Sequence, residues 1–287
     1  MTAPRWIDLD GVRNMRDIGG LPTADGRETK PGRLLRSDNL QTLTARDVER
    51  LTDELGVTDI VDLRSDVELH LEGPGPLMHA TALTHHHHSL FRDERVDDAE
   101  RAHETTRQAL ALPWTQDSSA PETEPTEPTE PIERAESTAR EPDVDEDFWA
   151  SHYLGYLAGR PDSVSAALHA VATSSGAVVV HCAAGKDRTG TVIGLALAVA
   201  GVSRAEIVAD YVATSERLEA VLGHLSQRPA YADHLRDQPI EEQLPRAASM
   251  ERLLEVLDAE FGGAAGWLRG QGWSGDEVAA LRAKLLD

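Results

Sequence analysis

The run Val178-Val179-Val180-His181-Cys182-Ala183-Ala184-Gly185-Lys186-Asp187-Arg188-Thr189-Gly190 constrains this chain more than any other feature. Ala177 to Val180 is a short β-branched run and reads as a buried strand. Thr189 to Ala200 reads as a buried helix. The connection between them is short, and it holds the only cysteine in the chain, followed six residues later by Arg188. A strand feeding a helix through so tight a loop belongs to an α/β sheet, with the loop at a strand's carboxyl end.

The spacing has a chemical reading. Five residues after Cys182 can curl so that their backbone N–H groups converge on an anion. Ala183, Ala184, Gly185, Lys186, Thr189 and Gly190 are the candidate phosphate-binding residues. Arg188 closes the ring, because guanidinium grips two phosphate oxygens at once. The helix N-terminus adds positive potential at the same spot. Such a field favours thiolate over thiol, which makes Cys182 a candidate nucleophile. His181 fixes local hydrogen bonds rather than taking a proton. Thr189 can donate its hydroxyl to the sulfur. A leaving alkoxide or phenoxide needs a proton and an incoming water needs a base. Asp187 is the candidate for both, a service worth typically ~10²–10⁴ in rate. Lys186 is a second cation, aimed at phosphate or at a neighbouring group. The expected activity is phosphomonoester hydrolysis through a cysteinyl-phosphate, with no metal and no cofactor. A silent phosphate-binding module and a rhodanese-like sulfurtransferase remain as alternatives.

His181 to Gly190 resembles the active-site loop of the cysteine-based protein tyrosine phosphatase superfamily. More narrowly, it is similar to bacterial tyrosine/phosphoinositide phosphatases of the mycobacterial type. Asn14-Met15-Arg16-Asp17-Ile18-Gly19-Gly20, Gly32-Arg33-Leu34-Leu35-Arg36-Ser37, and Ile60-Val61-Asp62-Leu63-Arg64-Ser65 with Glu68 resemble that family's other landmarks. The likeness implies a central, mostly parallel sheet flanked by helices. It implies substrates that are phosphotyrosine proteins, phosphoserine or phosphothreonine proteins, or phosphoinositides, with Lys186 and Asp187 tied to the lipid activity. It also implies that part of residues 215–245 forms a helical lid; ordinary packing of core helices is the alternative. Arg16, Asp17 and Arg64 are candidate supporting residues, with tying loops together as their other reading.

Composition bounds the rest. A chain of 287 residues fits one phosphatase domain with an insertion. The net charge of −22 argues against nucleic acid as a partner. Thr115 to Asp147 holds twelve acidic and two basic residues and a Pro-Thr-Glu repeat. It reads as a disordered insertion. The chain has no apolar run of membrane-spanning length, and Met1 to Asp8 is unlike a signal peptide. One cysteine suits a reducing, cytoplasmic setting, although related phosphatases use leaderless secretion. The oligomeric state is not legible. His85-His86-His87-His88 would alternate sides in an extended segment, so a native metal site is not expected.

Several elements can be placed. Residues 5–36 read as short strands with a turn at Asp25-Gly26. Thr44 to Leu55 reads as a helix opened by a Thr44/Asp47 capping box and stopped by Gly56. Val57 to Leu63 reads as a strand. Phe148 to Ala158 and Pro161 to Thr173 read as helices. Gly201 is a stop, Ser203 to Glu206 a capping box, and Ile207 to Leu225 shows helical spacing. Two helices follow, near 249–260 and 274–286.

Overall fold

A computed structural model describes residues 2–92, 144–236 and 238–287. The acidic stretch lies outside the described residues as far as residue 143. Six strands form one sheet: β1 Arg5–Trp6, β2 Arg16–Asp17, β3 Leu34–Ser37, β4 Val57–Asp62, β5 Thr84–His87 and β6 Ala177–His181. Their order is β1-β2-β3-β6-β4-β5. The β3, β6, β4 and β5 strands run parallel, and β1 and β2 add an antiparallel edge. This is the α/β architecture expected, with a mostly parallel sheet between helices.

The central strands are buried on both faces, and side-chain alternation divides the core in two. Leu34, Val61, Val178 and Val180 join one apolar layer, built with helices Pro161–Thr173, Asp187–Ala200, Ala247–Phe261 and Gly275–Leu286. Leu35, Ile60, Ala177 and Val179 join the other, built with Leu9, Val12, Met15, Leu40 and Leu51. In register, Ser37, His181 and Asp62 stand side by side at the carboxyl ends of β3, β6 and β4. The loop after β6 therefore opens at the lip of the sheet.

Local signals explain most boundaries. Thr44 and Asp47 form the expected reciprocal capping box. A side-chain cap of this kind is worth about 1 kcal/mol. The helix does not run unbroken to Leu55: it is α-helical over Ala45–Glu49 and widens into a π turn over Arg50–Glu54. Gly56 then turns the chain at φ +63. The segment Pro161–Thr173 is a helix as expected, and Gly201 is a left-handed cap. Helix Val144–Gly159 is longer than its aromatic spacing alone indicated.

Two expectations need correction. Ser203 accepts the Glu206 N–H, but Glu206 does not complete a capping box; its carboxylate accepts the Thr2 N–H at 2.8 Å. The helical spacing from Ile207 to Leu225 is two helices, Arg204–Ala213 and Leu218–Leu225, joined by a 3₁₀ turn. A short helix over Ala264–Gly270 also escaped the sequence reading.

Candidate active site

The loop from Cys182 to Arg188 is shaped by donors that lie outside it. The Asn39 N–H donates to the Ala183 carbonyl at 2.8 Å. Asn14 Nδ2 donates to the Ala184 carbonyl at 2.9 Å. Arg36 Nη2 donates to the Gly185 carbonyl at 2.7 Å. A trans peptide places its C=O and the next N–H on opposite sides. Three carbonyls drawn outward thus turn the N–H groups of Ala184, Gly185 and Lys186 inward. That is an anion nest, and the first turn of helix Asp187–Ala200 stands behind it.

Gly185 makes the turn possible. Its φ is +67, and a Cβ there would sit 2.4 Å from the Ser37 carbonyl oxygen. Only a residue without a side chain fits so close to β3.

The donors are themselves held. Asp210 accepts from Arg16 Nε at 2.8 Å and from Arg36 Nη1 at 2.5 Å. Arg16 also donates to Asn14 Oδ1 at 2.6 Å. The cluster is buried, and its opposite charges outweigh burial to keep Asp210 below the usual carboxylate range. Asp38 accepts the Arg13 and Asn14 N–H groups, and burial pushes it up to about 6.

Arg188 is gripped from the β4 side. Its Nη1 and Nη2 donate to the two oxygens of Glu68 at 2.6 and 2.9 Å. Its guanidinium carbon lies 4.7 Å from the centre of the Phe91 ring. Burial alone would lower its pKa; Glu68 and Cys182 outweigh it and hold the cation. Glu68 takes two of the five N–H donors, so one edge of the fork stays available to a ligand. Glu68 stays ionised, down to about 2, because Arg188 and the Ser65 cap overcome its own burial.

His181 is buried, and burial drives it down to about 4 despite the Asp62 carboxylate 3.5 Å away. It is neutral near pH 7, with Nδ1 3.4 Å from the Cys182 carbonyl.

Asp187 opens the helix. Its Oδ1 accepts from Tyr153 at 2.6 Å, and its Oδ2 lies 3.6 Å from Lys186 Nζ. The Lys186 ammonium donates to the Gln243 carbonyl at 2.6 Å. Of its two expected targets, then, it takes the neighbouring group.

Other expected site residues fall elsewhere. The Gly190 N–H is used within the helix, on the Lys186 carbonyl at 2.8 Å, so it does not serve the cradle. Gly190 instead makes room for Tyr211. The Thr189 hydroxyl is buried and makes no hydrogen bond to the sulfur or to any other described residue. Asp17 ties loops, accepting the Gly19 and Gly32 N–H groups at 2.8 and 2.9 Å. Arg16 reaches the loop only through Asn14 and Asp210. Arg64 pairs with Asp62 at 2.5 Å and contacts Asn39 and Gln41. The histidine run forms edge strand β5, where His85, His86 and His87 bond to Leu77 O, Asp59 and Arg64 O.

The segment over the loop contains helices Leu218–Leu225 and Ala232–Leu235 and a 3₁₀ turn at Ile240–Gln243. Val221, Leu225 and Tyr231 pack on Ala183 as a third apolar cluster. No helix among the described residues is long and apolar enough to cross a membrane.

Sequence reasoning gave no role to Asn14, Arg36, Asn39, Tyr153, Asp210 or Tyr211. Asn14 and Arg36 lay within quoted motifs, which was the available signal. Asp210 and the two tyrosines act across 34 to 194 residues of sequence, which no local pattern marks.

A thiol at a strand's end, a ring of inward N–H groups and a clamped arginine define a site for phosphate monoesters. Residues 7–287 match the model of the tyrosine phosphatase family. The chain is 30% identical to the triple specificity protein phosphatase PtpB of Mycobacterium tuberculosis, covering 97% of this chain and 98% of that one. A tyrosine-protein phosphatase of Nostoc commune is 38% identical over 40% of each chain. The chain belongs to the tyrosine phosphatase family and is a protein-tyrosine phosphatase.

Proposed function

We propose that this phosphatase works through a phosphocysteine on Cys182. The N–H groups of Ala184, Gly185 and Lys186 and the open edge of Arg188 hold the three non-bridging oxygens. The Cys182 thiolate attacks phosphorus in line. The S–P bond forms as the bond to the leaving oxygen breaks, and Asp187 gives that oxygen its proton. Water then attacks phosphorus and gives a proton to Asp187. The S–P bond breaks, releasing inorganic phosphate and the thiolate. The observation that carries this reading is the set of loop carbonyls held outward around one buried sulfur.

Phosphotyrosine proteins are the first substrate class. Phosphoserine, phosphothreonine and phosphoinositides are further substrates on this reading. Its support is the triple specificity named for the mycobacterial relative, together with the Lys186-Asp187 pair. A lipid carrying a second phosphate would draw Lys186 away from Gln243.

Rapid acid quench during turnover should trap one phosphate per chain on Cys182. Cys182→Ser should lose activity by at least ~10⁴-fold, since a neutral hydroxyl replaces the activated thiolate. A Ser variant that keeps wild-type turnover would overturn the mechanism. A panel of phosphopeptides and phosphoinositides, assayed with Lys186→Met beside wild type, tests the substrate reading; lipid turnover should fall more than phosphotyrosine turnover.

A further inference from the structure

We infer that Tyr153 is a positioning residue for the Asp187 proton, and that Tyr211 completes a one-way hydrogen-bond chain behind it. The inference rests on Asp187 being the proton donor. Tyr153 stands on helix Val144–Gly159 and is 1% exposed. Its hydroxyl lies 2.6 Å from Asp187 Oδ1 and 2.5 Å from the Tyr211 hydroxyl.

The directions follow from the donors available. An ionised carboxylate can only accept, so the Tyr153 proton goes to Asp187 Oδ1 and the proton between the two phenols comes from Tyr211. The Tyr153 oxygen accepts that proton and sends its own to Asp187. The Tyr153 hydroxyl then gives once and receives once. Both phenols resist ionisation. Burial raises their pKa values, and the Asp187 charge raises them further. Tyr153 therefore remains a donor whatever the state of Asp187.

The consequence concerns which carboxyl oxygen is protonated. With Oδ1 occupied as an acceptor, a proton added to Asp187 goes to Oδ2. Oδ2 is free of Tyr153 and lies 3.6 Å from Lys186 Nζ, and this is the oxygen from which the leaving group would be protonated. The ring packing reinforces the aim, since Tyr153 meets Tyr211 edge to face at 6.0 Å and lies 6.4 Å from Tyr156. The carboxyl is thus held in one rotation.

The test compares leaving groups, which a general loss of structure would not distinguish. Wild type, Tyr153→Phe, Tyr211→Phe and Asp187→Asn are assayed on phosphotyrosine peptide and on 2,4-dinitrophenyl phosphate, whose leaving group needs no proton. In Tyr153→Phe, kcat/KM, which reports the step that expels the leaving group, should fall roughly tenfold on phosphotyrosine, the worth of one oriented hydrogen bond to a charged group, with kcat/KM on the activated ester within about twofold. Tyr211→Phe should show the same split at about threefold, and it carries the test if Tyr153→Phe does not fold. Adding Tyr153→Phe to Asp187→Asn should cost nothing more on phosphotyrosine. Equal losses on both substrates, or no loss, in the tyrosine variants would overturn the inference while Asp187→Asn still shows the split. If Asp187→Asn itself lacks the split, the proton-donor reading fails first.

Discussion

The two strands that flank β6 serve the phosphate loop in opposite chemical ways. From the β3 side come donors: Arg36, Asn14 and the Asn39 N–H, each spent on a loop carbonyl. From the β4 side come acceptors: Glu68 on Arg188, and Asp62 near His181. Donors fix the backbone and so the direction of the N–H groups. Acceptors fix the guanidinium and leave the backbone alone. On the β3 side two arginines share one aspartate, Asp210, with Asp38 beside them on the Asn14 N–H, while Glu68 balances Arg188 one for one. A site built to receive an anion thus spends its β3-side donors on shaping the loop and keeps its gripping arginine neutralised until an anion arrives.

Arg36→Met should break that contrast most severely. Removing one member of a buried charge cluster costs about 3–5 kcal/mol, and the Gly185 carbonyl loses its donor. Unfolding should show that loss, and kcat/KM should fall by ~10²-fold or more because the nest loses its shape. Tungstate, a phosphate mimic, should restore little of the lost stability. Full recovery with tungstate would mean that Arg36 is not needed to shape the nest.

Glu68→Gln should behave differently. It strands a buried Arg188 cation in the free enzyme, so stability should fall by about 2–4 kcal/mol. A bound oxyanion supplies the missing charge, so tungstate should raise Tm more in this variant than in wild type. An equal rise in both would remove Glu68 as the partner that holds Arg188. Asn14→Ala should cost less, about 1–3 kcal/mol, because the loop loses one neutral donor and keeps two others, and Arg16, losing Oδ1 as an acceptor, keeps Asp210.

The smallest effect is one of pH, and it has opposite signs on two groups. Between 6.5 and about 4 the unfolded chain protonates His181 and the folded chain does not, so stability falls as pH falls through that window. Between about 6 and 3.8 the folded chain holds a proton on Asp38 that the unfolded chain lacks, so stability gains as pH falls. In denaturant melts between pH 4 and 6.5 the two effects therefore nearly offset each other in wild type; as pH falls, stability should rise relative to wild type in His181→Gln and fall relative to it in Asp38→Asn. Parallel slopes in the two variants would contradict this assignment.

The contrast also marks how far the sequence could be read. Strand β6, its loop and the helix behind it were legible because apolar runs, one cysteine and Arg188 fall within a single stretch. Helix Pro161–Thr173 was legible for the same local reason: proline opens it and its apolar spacing continues to the end. The layer beneath the loop was not. Asp210 sits on a helix whose apolar spacing reads as ordinary core, and its partners lie at the other end of the chain. Tyr153 read as one aromatic among several. Glu206 had the spacing of a capping box, yet the backbone of Thr2 claimed its carboxylate. In each case a long-range partner decided the role, and local patterns carry no record of such partners.

The outward carbonyls have one more consequence. Because donors within the fold already aim the nest, the loop loses its conformational freedom when the chain folds, before any substrate arrives. Substrate gains by this, but so does released phosphate, which presents the same oxygens to the same N–H groups. Product inhibition is thus inherent in a cradle that is rigid before binding. Its strength should track that rigidity, and variants that loosen the loop should be slower and less sensitive to phosphate together.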